Sequence, residues 1–262
     1  MDQETSSPSK PSSKPQRVRI PGTLPTGADT PMVVVYDQTQ DCPYLEDLTA
    51  RMPLEHPIAR LKPSGLDSLL ARGYRRTGPF FYHTRCANCQ ACIPVRVDVG
   101  QFRMTSSMRR IANRAKRELD VRWGAPKADE ARLNIFNSHR LQRDLARHGP
   151  STMADYHEFL VATSVDTCEI TFYRNDQLIG VAITDIAADS LNAVYTHFDP
   201  SHSKYSIGTL AILLQIEKAI QTRRQYVYLG LYVAENRHLN YKQRFLPQER
   251  LIDGEWMVIE AN

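Results

Sequence analysis

The sequence predicts an α+β fold, a mixed sheet with helices, preceded by a smaller N-terminal domain that carries cysteines. Three observations predict it. Three strand-like runs, Cys168 to Tyr173, Leu178 to Ile186 and Leu191 to Phe198, are separated by short turn signals. A helical run, Leu210 to Thr222, follows and leads into an apolar strand, Tyr226 to Leu231. All of this comes after a tight cluster, Cys86, Cys89 and Cys92.

Residues 1 to 30 hold five prolines, five serines and four Lys or Arg, so a disordered basic tail is expected there. Met32 to Tyr36 reads as a buried strand and Pro53 to Ser64 as irregular. Leu66 to Arg72 reads as a short helix closed by Gly73. Ile93 to Val99 alternates apolar and polar, which predicts a strand with one wet face. Ser106 is placed to cap a basic helix running to about Glu118. Val121 to Pro126 reads as the crossing to a second unit, which divides the chain into a tail (1–30), an N-terminal domain (31–125) and a second domain (126–262). Asp129 to Arg147 reads as a helix stopped by His148-Gly149-Pro150, and a short helix starts at Ser151 to Asp155. Asn175-Asp176 and Ala188-Asp189-Ser190 turn the three strands into an antiparallel meander, which Asp199-Pro200 ends. Ser206 to Thr209 opens the next helix, and Trp256 to Ile259 is the closing strand. This order resembles the acetyltransferase-like (GNAT) topology, in which a strand-to-helix turn presents backbone N–H groups to an acyl donor.

Composition narrows the function. A hydrophobic fraction of 42% suits a globular chain. No run approaches the roughly 20 apolar residues of a membrane span, and no secretory pattern opens the chain, so a cytoplasmic protein is expected. The net charge is +4, yet Arg103 to Arg122 alone carries six Arg and one Lys against Glu118 and Asp120, or +5. A basic stripe on a near-neutral body points to a polyanion partner or to a plain solvated helix face. The sequence holds no G-x-S-x-G elbow, Walker loop or G-x-G-x-x-G fingerprint, which argues against chemistry that uses those motifs.

Cys86-x-x-Cys89-x-x-Cys92 places three thiols on one short loop, with Cys42 available as a fourth. Such spacing suits a structural zinc or an iron–sulfur cluster, and equally a set of buried thiols. Cys168, in mid-strand, reads as a core residue.

Phe81-Tyr82-x-x-x-Cys86-x-x-Cys89-x-x-Cys92-Ile93-Pro94-Val95-Arg96, followed by Ser106-x-x-Arg109-Arg110, resembles the N-terminal signature of arginyl/leucyl-tRNA–protein transferases. Arg147-His148-Gly149, Gly180-Val181-Ala182-x-Thr184-Asp185, Ala193-Val194-Tyr195-Thr196-x-Phe198-Asp199-Pro200, Ser206-x-Gly208-Thr209, Tyr226-x-Tyr228-Leu229-Gly230 and Tyr241-Lys242-x-x-Phe245 continue the likeness in order. It covers about Tyr36 to Trp256 and is similar to the bacterial type that adds leucine to proteins beginning with Asp or Glu. Three segments depart from the pattern: Glu46-Asp47-Leu48 stands for Pro-Gly-Arg, Gly230-Leu231-Tyr232 for Gly-Tyr-Trp, and His238-Leu239 for Lys-Met. The last two lie near the expected donor pocket and leave leucine and arginine both open as donor.

The resemblance implies transfer of an amino acid, leucine first, from aminoacyl-tRNA to an N-terminal Asp or Glu, which marks the acceptor as an N-degron for degradation. No cofactor is required for the transfer itself. Tyr241 and Lys242 are expected to move a proton and hold an anion, Asp185 and Tyr195 to line the pocket, and Ser206, Gly208 and Thr209 to offer backbone donors to the oxyanion. Arg96, Arg109 and Arg110 are candidates for the acceptor carboxylate, because Arg binds carboxylates bidentately. Arg109, Arg110, Arg114, Lys116 and Arg117 are candidates for the tRNA backbone. An acyl-CoA-dependent GNAT acyltransferase and a catalytically inactive RNA- or N-degron-binding module remain the alternatives.

Overall fold

The computed structural model describes residues 17–19, 31–146 and 149–260. In chain order it forms β1 (Arg17–Arg19), β2 (Met32–Tyr36), β3 (Thr39–Asp41), β4 (Thr49–Arg51), β5 (Leu54–Pro57), α1 (Pro63–Ala71), β6 (Arg75–Thr77), β7 (Phe80–Tyr82), β8 (Ile93–Asp98), α2 (Ser106–Glu118), β9 (Asp120–Gly124), α3 (Glu130–Gln142) and α4 (Met153–Tyr156). There follow β10 (Thr167–Arg174), β11 (Gln177–Ile186), β12 (Ser190–Phe198), α5 (Ile207–Gln221), β13 (Tyr226–Tyr232), β14 (Gln248–Ile252) and β15 (Glu255–Ile259), with 3-10 turns at Pro200–Tyr205 and Asn240–Arg244.

Among the described residues, nine strands join one mixed sheet in the order β1-β15-β14-β8-β13-β12-β11-β10-β9. Strands β9 to β12 are antiparallel neighbours. The β10–β11 turn is made by Asn175 and Asp176, both at positive φ, as a tight hairpin requires. Strand β13 then runs parallel to β12. A parallel join needs a long crossover, and α5 supplies it while burying Leu210, Leu213 and Ile216. A smaller sheet has the order β2-β5-β7-β6, and β3 pairs with β4.

Several expectations change. The boundary at 125/126 runs through a continuous sheet, because β8 lies between β14 and β13 and β9 forms its far edge. One apolar cluster also joins Leu66, Leu70 and Phe81 to Tyr228 and Trp256 from the other end of the chain. The Trp256 indole donates to the Ala71 carbonyl at 2.9 Å and fixes α1 there. Strand β8, flanked on both sides, buries Val95, Arg96 and Val97 together, so it has no wet face. Val33, Val34 and Val35, expected to be buried, are about half exposed at 51%, 54% and 52%, because β2 is an edge strand. Pro53 to Ser64 contains β5. Helix α2 is capped by Thr105, whose side chain accepts from the Met108 N–H, and Ser106 is its first helical residue. Within the expected tail, Arg17–Arg19 pairs with β15. The rest of that tail, and Arg147 and His148, lie outside the described residues. No helix among the described residues is long and apolar enough to cross a membrane.

Gly78 holds β6 against the segment after α4. Its φ is +55°, and a Cβ there would come within 2.5 Å of the Glu158 carbonyl oxygen. Gly254 has φ +81° but open space around it. Gly78→Ala is therefore expected to destabilise by about 2–4 kcal/mol and Gly254→Ala by about 1 kcal/mol. Urea denaturation of the two variants measures this, and equal losses would contradict the close approach at Gly78.

Candidate active site

The site starts from two adjacent arginines on β6. Arg76 donates through Nε to both carboxylate oxygens of Asp185 at 2.9 Å, and neither side chain has any exposure. Asp185, on β11, also accepts from Thr167 Oγ1 and Asn192 Nδ2, each at 2.9 Å. Asn192, on β12, in turn accepts from Arg75 Nη1 at 2.6 Å. A buried carboxylate thus sets the orientation of an amide, and the amide holds the next guanidinium.

Arg75 sits where the sheet opens. The parallel ladder between β12 and β13 ends at the Asn192–Tyr228 pair. Immediately beyond it Arg75 Nη2 donates to the Ala193 carbonyl at 2.9 Å. Across the opening, Gly230 on β13 has φ +92°, and a Cβ there would lie 2.8 Å from Arg75 Nη2. Glycine at 230 is what lets the guanidinium enter.

Lys242 approaches from the other end of the chain. The turn Asn240–Arg244 is pinned by Gln248, whose amide donates to the Lys242 and Phe245 carbonyls at 2.8 and 3.1 Å. Lys242 Nζ donates to the Leu231 carbonyl at 2.6 Å. Burial, and then the charge of Arg75, pull its pKa down to about 7. Burial pushes the Tyr241 hydroxyl above its ordinary value, and the charges of Arg143 and Arg75 oppose the shift. Tyr241 therefore stays protonated at neutral pH, able to donate one proton and accept another.

Ser206 takes a left-handed conformation with φ and ψ both 49°, and no side chain caps the first turn of α5. A Cβ at Gly208 would meet nothing within 4 Å, so the space beside that residue is open, with Thr209 following in the helix. The Tyr195 ring packs on Phe136 and Phe159, with centroids 5.7 and 5.3 Å away, in an aromatic cluster on α3 and the segment after α4. Asp185 is engaged by three donors, so it acts by positioning Asn192 and Arg76 and is not exposed to a ligand. Arg96 is corrected outright. It is buried, donates to Glu249 at 2.6 Å and Tyr228 at 3.1 Å, and stacks between Tyr226 and Trp256, so it offers nothing to an acceptor carboxylate. Arg109, Arg110, Arg114, Lys116 and Arg117 are all exposed on α2. Arg109 donates to the Met104 carbonyl and Ser106, and Arg114 to the Lys204 carbonyl.

Cys42, Cys86, Cys89 and Cys92 line one small pocket with Tyr44 and Ala50. Burial and the other three thiols push the Cys92 thiol up to about 12. As placed, no set of three or more His, Cys, Asp or Glu among the described residues is arranged to hold a metal ion. Tyr44 joins this pocket to the arginine site: its hydroxyl lies 3.2 Å from that of Tyr82, and both rings sit in the field of Arg75.

The departures from the family pattern have local explanations. Asp47, in place of glycine, has φ +57°, a conformation that Asp tolerates better than most residues. Leu231 contributes its carbonyl to Lys242, which any residue can do. The Tyr232 ring lies under the Arg250 guanidinium at 3.9 Å. His238 is anchored through its N–H to Asn236 Oδ1 at 2.9 Å.

Arg75, Arg76 and Asn192 escape the sequence reading. The available signal is the Arg-Arg pair between Gly73 and Gly78, in a segment otherwise destined for the interior.

Comparison with known proteins adds the family. Residues 40–110 match the model of the arginine-tRNA-protein transferase N terminus, and residues 131–252 that of its C terminus. The chain is 34% identical over 225 residues to the aspartate/glutamate leucyltransferase of Thiobacillus denitrificans, covering 84% of this chain and 92% of that protein. Identity to the protein of the same name from Methylobacillus flagellatus is 34%, over 91% of this chain and 97% of the relative. For Marinobacter nauticus it is 36%, over 82% and 91%. Among solved structures, FemX aligns with 81% of this chain and 72% of its own at 9% identity and a TM-score of 0.47, too loose a likeness to assign a fold.

The lysine generates a prediction. Its folded pKa of about 7 lies below the roughly 10.4 of an exposed lysine, so the unfolded chain binds more protons between these values. Stability contributed at this site therefore rises with pH from about 7 to 10 and is flat outside that window. Lys242→Met removes the rise. Urea melts from pH 6 to pH 10 should show the stability difference moving in favour of the wild type as pH increases. A constant difference would contradict a buried, cation-flanked Lys242.

Proposed function

The chain belongs to the arginine-tRNA-protein transferase family, and from that premise we propose that it transfers leucine from leucyl-tRNA to the N-terminal Asp or Glu of acceptor proteins in the cytosol. The names of the relatives support the donor and the acceptor. The observation that carries the reading on this chain is the opening between β12 and β13, with Arg75, Tyr241 and Lys242 gathered at it. We propose further that the large sheet is of the acetyltransferase type. Its support is the antiparallel β10–β12 meander followed by α5 and the parallel β13.

The reaction joins an amine to an activated ester. The acceptor's α-amine, with an ordinary pKa near 7.7–8.0, is partly neutral at cell pH. Its nitrogen attacks the aminoacyl carbonyl carbon, the new C–N bond forms, and the ester C–O bond breaks. The amine gives up one proton and the tRNA 3′ oxygen takes one up, so no net proton is lost after the ammonium has ionised. Tyr241, neutral and half-buried, relays that proton from nitrogen to the leaving oxygen. The uncapped first turn of α5 directs backbone N–H groups at the carbonyl oxygen as it becomes negative, with Gly208 leaving room beside it. Holding the amine and the ester at the strand opening supplies most of the acceleration, since good placement contributes about 7–11 kcal/mol at best.

The exposed cations of α2, Arg109, Arg110, Arg114, Lys116 and Arg117, receive the tRNA backbone. As placed, the four thiols of the cysteine pocket do not form a metal site; a structural zinc or iron–sulfur cluster would need them drawn together, and its part would be to brace the segment carrying Tyr44. No step of the transfer passes through it.

A transfer assay tests the reading. Purified protein is mixed with leucyl- or arginyl-tRNA and with peptides beginning in Asp, Glu, Arg or Ala, and products are weighed by mass spectrometry. Leucine on the Asp and Glu peptides alone is the expected result, with a rate that falls steeply between about 50 and 200 mM salt. Arginine in its place changes the donor, acyl transfer from acyl-CoA supports a plain acetyltransferase, and no transfer from any donor leaves a binding module.

A further inference from the structure

We propose that Arg75 and Lys242 form the pocket that receives the side-chain carboxylate of the acceptor's first residue, and so set the choice of acceptor. The inference rests on the transferase reading and deepens it. It starts from a charge imbalance. Arg75 and Lys242 are 8% and 6% exposed, and the charge of Arg75 acts on Lys242. Neither has a carboxylate within ion-pair distance among the described residues. Their hydrogen bonds go to neutral oxygens only: Asn192 Oδ1, the Ala193 carbonyl and the Leu231 carbonyl. The one nearby carboxylate, Asp185, is matched by Arg76. Tyr44 and Tyr82 face Arg75 from the N-terminal part of the chain, and burial raises the pKa of the Tyr44 hydroxyl.

Two buried cations without an anion are costly unless a ligand brings one. Among the described residues, the other strongly buried arginines follow the ordinary rule: Arg76 meets Asp185, Arg96 meets Glu249, and Arg132 meets Glu169. Arg75 uses two of the five N–H donors of a guanidinium, which leaves a fork for a planar carboxylate. Lys242 adds a second, flexible charge.

The burial of the pair favours a carboxylate over an RNA phosphate. With Arg75 and Lys242 almost out of solvent, the end of a short side chain is the better fit, whereas a phosphodiester carries a nucleoside on each side. The exposed arginines of α2 provide a surface for phosphates elsewhere. An Asp or Glu side chain held at Arg75 also keeps the α-amine of the same residue within a few bonds of the strand opening, where the ester is presented. This assignment takes the place of Arg96, which is spent inside the sheet, and of Arg109 and Arg110, which lie on the exposed helix.

The experiment measures acceptor binding by itself. Fluorescence anisotropy on the full chain, without tRNA, compares peptides that begin with Asp, Asn, Glu or Gln and are otherwise identical. The wild type is expected to prefer Asp over Asn and Glu over Gln by about 30-fold, the worth of one charge-assisted contact. Arg75→Lys and Lys242→Gln should reduce that ratio to about 3-fold or less while leaving the affinity for leucyl-tRNA unchanged. If an Arg75 variant does not fold, the wild-type acid/amide ratio and Lys242→Gln still decide. Equal binding of acid and amide peptides by the wild type overturns the proposal, and so does a ratio that survives Lys242→Gln. Loss of tRNA affinity with the ratio intact also overturns it and assigns the pair to a phosphate. Transfer is assayed in parallel: acid-selective binding without transfer would count against the transferase reading alone, and transfer without acid-selective binding against this proposal alone.

Discussion

The buried ion pair between Arg76 and Asp185 is the constraint on which the site depends. It joins β6 of the small sheet to β11 of the large one, with both side chains out of solvent. Breaking such a pair leaves an unmatched buried charge, at a cost of about 3–5 kcal/mol. Asp185 passes the constraint to Asn192, and Asn192 passes it to Arg75. The position of Arg75 at the opening of β12 and β13 is therefore set by residues on three strands. A site built this way does not rely on loop geometry to place its charge, which is what preorganised electrostatics requires.

The same chain of contacts explains why the N-terminal half is not a separate domain. It contributes β8 to the middle of the large sheet, Arg75 to the strand opening, and Tyr44 and Tyr82 to the space above it. Asn236, in the loop after β13, donates to the Tyr44 carbonyl at 2.8 Å and ties the cysteine-bearing segment to the section that carries Lys242. The two cations are then left with neutral hydrogen-bond partners and Tyr44 with a raised pKa. The centre is positive and buried, suited to an anionic group brought by a substrate.

Some of this was legible in the sequence. The β10–β12 meander was, because each strand is bounded by turn residues such as Asn175-Asp176, which adopt the positive φ that the turn demands. Helix α5 and strand β13 followed from periodicity and from an apolar run. The place of β8 was not legible, since pairing between distant segments leaves no local mark, and its alternation of apolar and polar residues read as a half-wet strand. Met32 to Tyr36 misled in the opposite direction: an apolar run suggests burial, yet an edge strand stays exposed. The cap of α2 differed by one residue because Thr105 and Ser106 are equally able to accept the bond. For the candidate site, motif likeness pointed to Tyr241, Lys242 and Asp185. Arg75 and Arg76 were not, because charged residues default to the surface unless a partner is known, and their partners lie more than a hundred residues away. Arg96 failed for the same reason in reverse, since its partner Glu249 could not be seen from its neighbours.

The central claim is that transfer takes place at the opening between β12 and β13, beside Arg75. A crystal structure of the protein with 3′-leucylamido-adenosine, a stable mimic of the tRNA end, and a peptide beginning with Asp would test it most directly. The account predicts the leucyl carbonyl between β12 and β13, facing the first turn of α5, and the Asp carboxylate hydrogen-bonded to Arg75 and Lys242. Density for the nucleoside and the peptide on another face of the sheet, with Arg75 and Lys242 untouched, would contradict it.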